Sequence, residues 1–327
     1  MQVAIRSTLA GRFKMEAVNA KTGKKRVLAD WFPNLITDFG LNMKGAMSGT
    51  GIGNSVMSSF HVGSGTNTPL VSDTALQSPV ATSTDQQSLV IGAAQDPPYF
   101  AWYRRTVRFD EGVAAGNLSE VGVGSNSGAT LSSLFSRALI LDGNGDPTTI
   151  TVLSNEYLDV TYELRLYAPT SDFTATIADG ADSYNVIVRP ASVTTSDTAG
   201  LASSDSNWSP SNLVGRVEFS AAPSVASAYT GDIGSVTQIP SGSVIGSGGS
   251  ERFWGSVTND PYSNNSLERT ATYFAGLNRF NGSIRSLRFF VNGLGRTWQA
   301  QFDPPIPKDN TKVLRVGMKV SWGRHDP

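Results

Sequence analysis

The chain has two histidines, His61 and His325, and no cysteine. A serine–histidine–carboxylate triad would have to run through one of these histidines. A thiol nucleophile, a disulfide or a cysteine-ligated metal is excluded. His61 sits between Phe60 and Val62 in a strand-like run, which suits a structural imidazole. No Gly-x-Ser-x-Gly segment offers a serine nucleophile. Paired carboxylates of the glycosidase kind carry no local signature and single out no residue.

Two glycine-rich segments have the look of ligand loops. Gly63-Ser64-Gly65 resembles part of a phosphate loop, but it lacks the Lys-Ser/Thr ending and the helix that must follow. It reads as a tight turn in which glycine supplies a positive φ. Asp142-Gly143-Asn144-Gly145-Asp146 resembles the start of a calcium loop. The twelfth residue from Asp142 is Leu153 rather than a bidentate glutamate, and the flanks are strand-like, so a hairpin turn is expected. No catalytic, cofactor-binding or metal-ligating residue is assigned, no cofactor is called for, and the chain reads as a protein that is not an enzyme.

Aromatic and basic residues could still bind. Arg104-Arg105 follows Trp102-Tyr103. The arginines are expected on the polar face of a sheet, paired across strands with carboxylates such as Glu120 or Glu163. Trp208, Tyr229, Trp254 and Tyr262 could stack on sugars or anchor an interface, but the leading expectation is that they are core residues of a second sandwich.

These residues must be positioned by strands. Residues 1–33 read as a hairpin turning at 19–24. Its first strand is either an exchanged arm or, the preferred reading, part of the first domain's own sheet. Asn34–Met43 reads as a short helix, near residues 36–47, capped by Thr37 or Asp38. Phe39, Leu41, Met43 and Met47 supply its apolar faces, and Gly40 and Gly45 keep it short. Residues 60–62, 99–109, 118–123, 135–141, 150–152, 158–167 and 184–188 read as strands, with a further short segment at 73–76. Residues 169–215 and 221–250 are rich in Ser, Thr, Ala, Asp and Gly, and 252–324 returns to strands.

The strand pattern repeats. Tyr99-Phe100-Ala101, Gly116-Asn117-Leu118 and the run Leu158–Tyr167 find counterparts in Tyr273-Phe274-Ala275, Gly282-Ser283-Ile284 and Leu314–Trp322. Leu158, Val160, Tyr162, Leu164 and Leu166 fall on Leu314, Val316, Met318, Val320 and Trp322, alternating apolar with polar. The expected fold is mainly β: two antiparallel β-sandwich domains, 1–170 and 171–327, the second with a loop-rich first part.

Over 327 residues, 39% are hydrophobic and only 16% charged, with a net charge of −1. That balance opposes a nucleic-acid partner, which needs a basic surplus, and permits close association between proteins. No apolar run approaches a membrane span of roughly 18 residues. No signal-peptide core follows Met1, so the expectation is a soluble chain with no membrane partner.

Several segments, in order, carry a resemblance. They are Asn34-Leu35-Ile36-Thr37-Asp38-Phe39-Gly40, Val62-Gly63-Ser64-Gly65-Thr66 with Pro69 and Asp73-Thr74-Ala75-Leu76, and Asn117–Gly124. Leu134–Ile140, Pro147–Val152 and Leu158–Arg165 complete the set. Over about residues 30–170 they resemble tailed-bacteriophage virion structural proteins, of the tail, tail-fibre or collar kind. The resemblance implies a virion component in many copies and does not name its station; together with the free edges of a duplicated sandwich, the expected function is a tail, collar or appendage subunit assembling as a homo-oligomeric ring. Its partners would be copies of itself and other virion proteins. It would be located in the virion after synthesis in the host cytoplasm. A host-receptor module binding a surface glycan is the alternative, and a capsid decoration protein a further one. No site residue is carried over from the resemblance.

Overall fold

A computed structural model describes residues 2–46, 56–125, 134–194, 213–214, 216–220, 227–246, 254–294 and 297–326. In chain order, β1 (Gln2–Asn19) and β2 (Lys25–Pro33) form a hairpin, and β3 (Leu35–Ile36) leads into α1 (Asp38–Ala46). Then come β4 (Ser59–Gly63), β5 (Pro79–Ser83), β6 (Asp85–Ala93) and β7 (Phe100–Phe109). After these lie β8 (Gly116–Leu118), β9 (Glu120–Gly124), β10 (Leu134–Leu139), β11 (Ile150–Val152) and β12 (Glu156–Tyr167). The remainder holds β13 (Phe173–Asp179), β14 (Asp182–Pro190), β15 (Glu218–Ser220), β16 (Ala228–Tyr229) and β17 (Ser256–Asn259). It closes with β18 (Glu268–Ala275), β19 (Gly282–Asn292), β20 (Thr297–Lys308) and β21 (Leu314–Arg324). No described helix is long and apolar enough to cross a membrane.

The largest sheet has the order β17-β18-β21-β1-β12-β7-β6, with β2 also on β1. A second sheet runs β3-β10-β9-β4-β5, and a third runs β13-β14-β20-β19-β15 with β16 on β19. β7 alternates buried and half-buried residues along its whole length, as a strand with one face on a core must. On that inner face the Arg105 guanidinium stands 5.9 Å from the ring of Phe60 in β4. Further along the sheet, Tyr273 of β18 meets Phe219 of β15 at 6.1 Å and Phe289 of β19 at 6.4 Å. The large sheet is therefore covered by the β4 sheet at one end and by the β19 sheet at the other. The fold is mainly β and sandwich-like, and the two sandwiches share a layer.

That shared layer comes from β1. Its residues 8–19 pair antiparallel with β12, and its residues 2–9 pair parallel with β21. One sheet thus crosses residue 170, and the first strand belongs to both halves. β12 and β21 flank β1 running in opposite directions, as a two-fold axis normal to the sheet would place them. The closing runs and the Tyr-Phe-Ala triplets occupy equivalent strands, β12 beside β7 and β21 beside β18, with a difference of register, whereas β8 pairs with β11 in a separate two-stranded sheet and β19 pairs with β20. Ala101 opposes Leu166, whereas Ala275 opposes Leu314, the counterpart of Leu158. The Tyr-Phe-Ala triplets therefore sit at opposite ends of their strands. Gly116 and Gly282, matched in sequence, both open a strand at positive φ.

Thr37 caps α1, its Oγ1 accepting the Gly40 N–H at 2.9 Å. The glycines that shorten the helix also let it approach its neighbours: a Cβ on Gly40 would overlap the backbone of Phe135, and one on Gly45 the ring of Tyr262. Met47, expected on an apolar helix face, lies outside the described residues. Residues 73–76, expected as a short element, are loop.

Candidate functional site

The outer face of the large sheet carries a lattice of arginines, carboxylates and aromatic rings. Register aligns Gly92, Trp102, Arg165 and Ala10 in one row across β6, β7, β12 and β1. The next row is Val90, Arg104, Glu163 and Arg12. Arg108 and Asp159 pair two rows on, at 2.7 Å. Trp31, on β2, packs its ring 4.2 Å from the Arg12 guanidinium and 5.1 Å from that of Arg104.

Glu163 is the centre of this lattice. Its Oε1 accepts the Nε–H of both Arg12 and Arg165 at 2.8 Å each, and its Oε2 accepts two N–H groups of Arg104. The side chain is 1% exposed although it lies on the outer face, because the three guanidiniums roof it. Burial alone would raise its pKa. The hydrogen bonds from Arg12, Arg104 and Arg165 outweigh that and hold the carboxyl below its ordinary value. Three cations on one anion leave two positive charges on this patch.

Beside Glu163 lies a cleft of about 350 Å³, bounded by Arg12, Trp31, Pro33, Arg165, Tyr167 and His325, with Ala10 in its lining. Tyr167 and His325 form one wall as a parallel stack with centroids 3.6 Å apart. The His325 Nδ1 contacts the Thr8 Oγ1 at 3.0 Å, and its backbone N–H donates to the Leu9 carbonyl at 2.7 Å. A second groove, of about 730 Å³, runs along the outer edge of β2 from Arg26 to Pro33 and faces residues 141–151.

β6 ends the large sheet. It pairs with β7 on one side and with no strand on the other among the described residues. Leu89, Val90 and Ile91 are 40, 47 and 45% exposed, so both faces of this stretch are bare at once. The strand has no lysine, arginine or proline to discourage pairing.

The other residues singled out by sequence have internal partners. Arg104 meets Glu163 as expected, but Arg105 pairs with neither Glu163 nor Glu120. Consecutive residues of a strand face opposite sides, so Arg105 turns inward and donates to the carbonyls of Met57, Ser58 and Thr84. Glu120 is fully buried and pairs with Arg137 at 2.8 Å.

The turn at Gly63-Ser64-Gly65 wraps that carboxylate. Glu120 Oε1 accepts the N–H of Gly65 at 3.1 Å and of Ser78 at 2.7 Å, so a protein anion fills the place a phosphate would take. Neither glycine has a positive φ. They are needed for close approach instead: a Cβ on Gly65 would stand 2.5 Å from Glu120 Oε1. Asp142 turns its carboxylate onto the N–H groups of Asn144 and Asp146, which closes the expected hairpin turn.

His61 lies in β4 with its Nε2 3.0 Å from the Ser59 Oγ and its Nδ1 2.8 Å from the Thr82 Oγ1. Burial pushes its pKa down to about 4. Ser59 is 2% exposed, so this serine–histidine contact is buried within the sheet. Tyr229 and Trp254 are core residues, and Tyr262 stacks on Trp322 at 5.9 Å. Trp208 lies outside the described residues. Sequence reading found Arg104 and Glu163 but missed Arg12, Trp31 and Arg165, which converge only through strand register. It also missed β6, whose Leu-Val-Ile run lacks alternation.

Compared with known proteins, the chain matches no family model, no curated protein and no solved structure.

Proposed function

We propose that the chain is a structural subunit of a bacteriophage virion, in a tail, collar or appendage, and assembles as a homo-oligomeric ring. The observation that carries this reading is β6. Among the described residues no strand pairs with the outer edge of β6, and this edge carries the apolar Leu89, Val90 and Ile91. Such an edge is a template for another strand, and a sheet continued from copy to copy closes into a ring when the rotation permits. The exposed edge of β2 offers a second place for strand addition. The resemblance of residues 30–170 to tailed-phage virion proteins supports a place in a virion, and it does not name the station on the particle.

Electron micrographs of the purified chain test the assembly. Closed rings of one diameter are expected, and isolated monomers overturn the reading. Mass spectrometry of purified phage particles encoding the chain tests its place, with a stoichiometric virion component as the expected result.

A further inference from the structure

We infer that the cleft between Trp31 and the Tyr167–His325 stack binds a carboxylate-bearing sugar of one six-membered ring, of the hexuronate class. The site is separate from the β6 edge, so the inference stands or falls independently of the ring assembly.

Charge is the first ground. Arg12 and Arg165 both spend their Nε–H on a single oxygen of Glu163. Arg165 gives one further N–H to the Tyr167 hydroxyl, at 3.4 Å, and Arg104 is held by the other oxygen. The terminal amino groups of Arg12 donate to no protein group among the described residues, and the side chain is 30% exposed. A carboxylate placed against these planar forks meets preset donors and two uncompensated positive charges.

Shape is the second ground. Ala10 faces outward between Thr8 and Arg12, opposite Arg165, and its small side chain leaves the depression that a larger one would fill. The walls are the Trp31 indole, Pro33 and Tyr167. About 350 Å³ lies at the small end of ligand pockets, which run from about 300 to 1,000 Å³, and suits one ring better than an extended peptide. A bare inorganic anion would leave the aromatic walls unused. A neutral sugar would leave the guanidiniums unanswered.

The test is calorimetric titration of the full chain with sodium glucuronate, glucose, sodium acetate and sodium sulfate at matched ionic strength. Glucuronate is expected to bind at least tenfold more tightly than glucose or acetate. Arg12→Gln should weaken it tenfold or more. Ala10→Leu, which leaves every charge in place, should abolish it while the thermal midpoint is retained. Equal binding of glucose, sulfate competing as well as glucuronate, no glucuronate binding, or an unchanged affinity in Ala10→Leu would each overturn the assignment.

Discussion

The Trp102 indole occupies the space above its cross-strand partner Gly92, where a Cβ would stand 2.6 Å from the indole Cε2. A glycine inside a strand marks such a close approach. The Arg104 guanidinium lies over the ring, 4.7 Å from its centroid. Trp102 thus clamps β6, the bare edge strand, onto β7.

Gly92→Val must displace that ring. A stability loss of about 1–3 kcal/mol is expected, as for other overpacked sites. Chemical denaturation gives the loss, and a red shift of tryptophan emission reports the displaced indole. An unshifted emission spectrum with full stability would mean that the indole does not rest there in solution.

Glu163→Gln leaves three guanidiniums without their anion. Breaking a buried ion pair by removing one partner costs about 3–5 kcal/mol, and the partly exposed arginines put the expected loss at the low end. The Glu163 pKa is depressed in the fold, so its stabilisation is present above the ordinary carboxylate value of about 4.3. That contribution disappears as pH falls through the folded value. Urea denaturation should therefore show a wide gap between native chain and variant at pH 7 and a narrow one at pH 3. An equal gap at both would contradict the account.

His61 titrates in the fold at about 4, against an ordinary value of about 6.5. Between these values the unfolded chain binds a proton that the folded chain refuses. Stability should fall as pH drops from 6.5 towards 4, by on the order of 3 kcal/mol from this residue. His61→Gln should flatten the slope in that window. A slope unchanged by the substitution would place the imidazole in water.

Much of the fold is legible in local pattern. The apolar alternation of Leu158–Tyr167 and Leu314–Trp322 gives both closing strands, and Thr37 announces the helix start. The illegible parts depend on distant partners. Nothing in Gln2–Leu9 says that the chain's last strand will lie parallel beside it. β6 has no alternation because its Leu-Val-Ile stretch is exposed on both faces, with no layer over it among the described residues. The Glu163 patch draws Arg12, Arg104 and Arg165 from three strands, so only register brings them together. Gly65 shows why a motif fragment misleads: its backbone N–H does bind an anion, but the anion is the carboxylate of Glu120.

The central claim is that β6 joins one copy of the chain to the next. Light scattering coupled to gel filtration, on the full chain and on the Val90→Lys/Ile91→Lys variant, tests it most directly. The native chain is expected to elute as one species of several subunits, and the variant as a folded monomer with an unchanged circular dichroism spectrum. A native monomer at tens of micromolar, or a variant with the same mass as the native assembly, would contradict it.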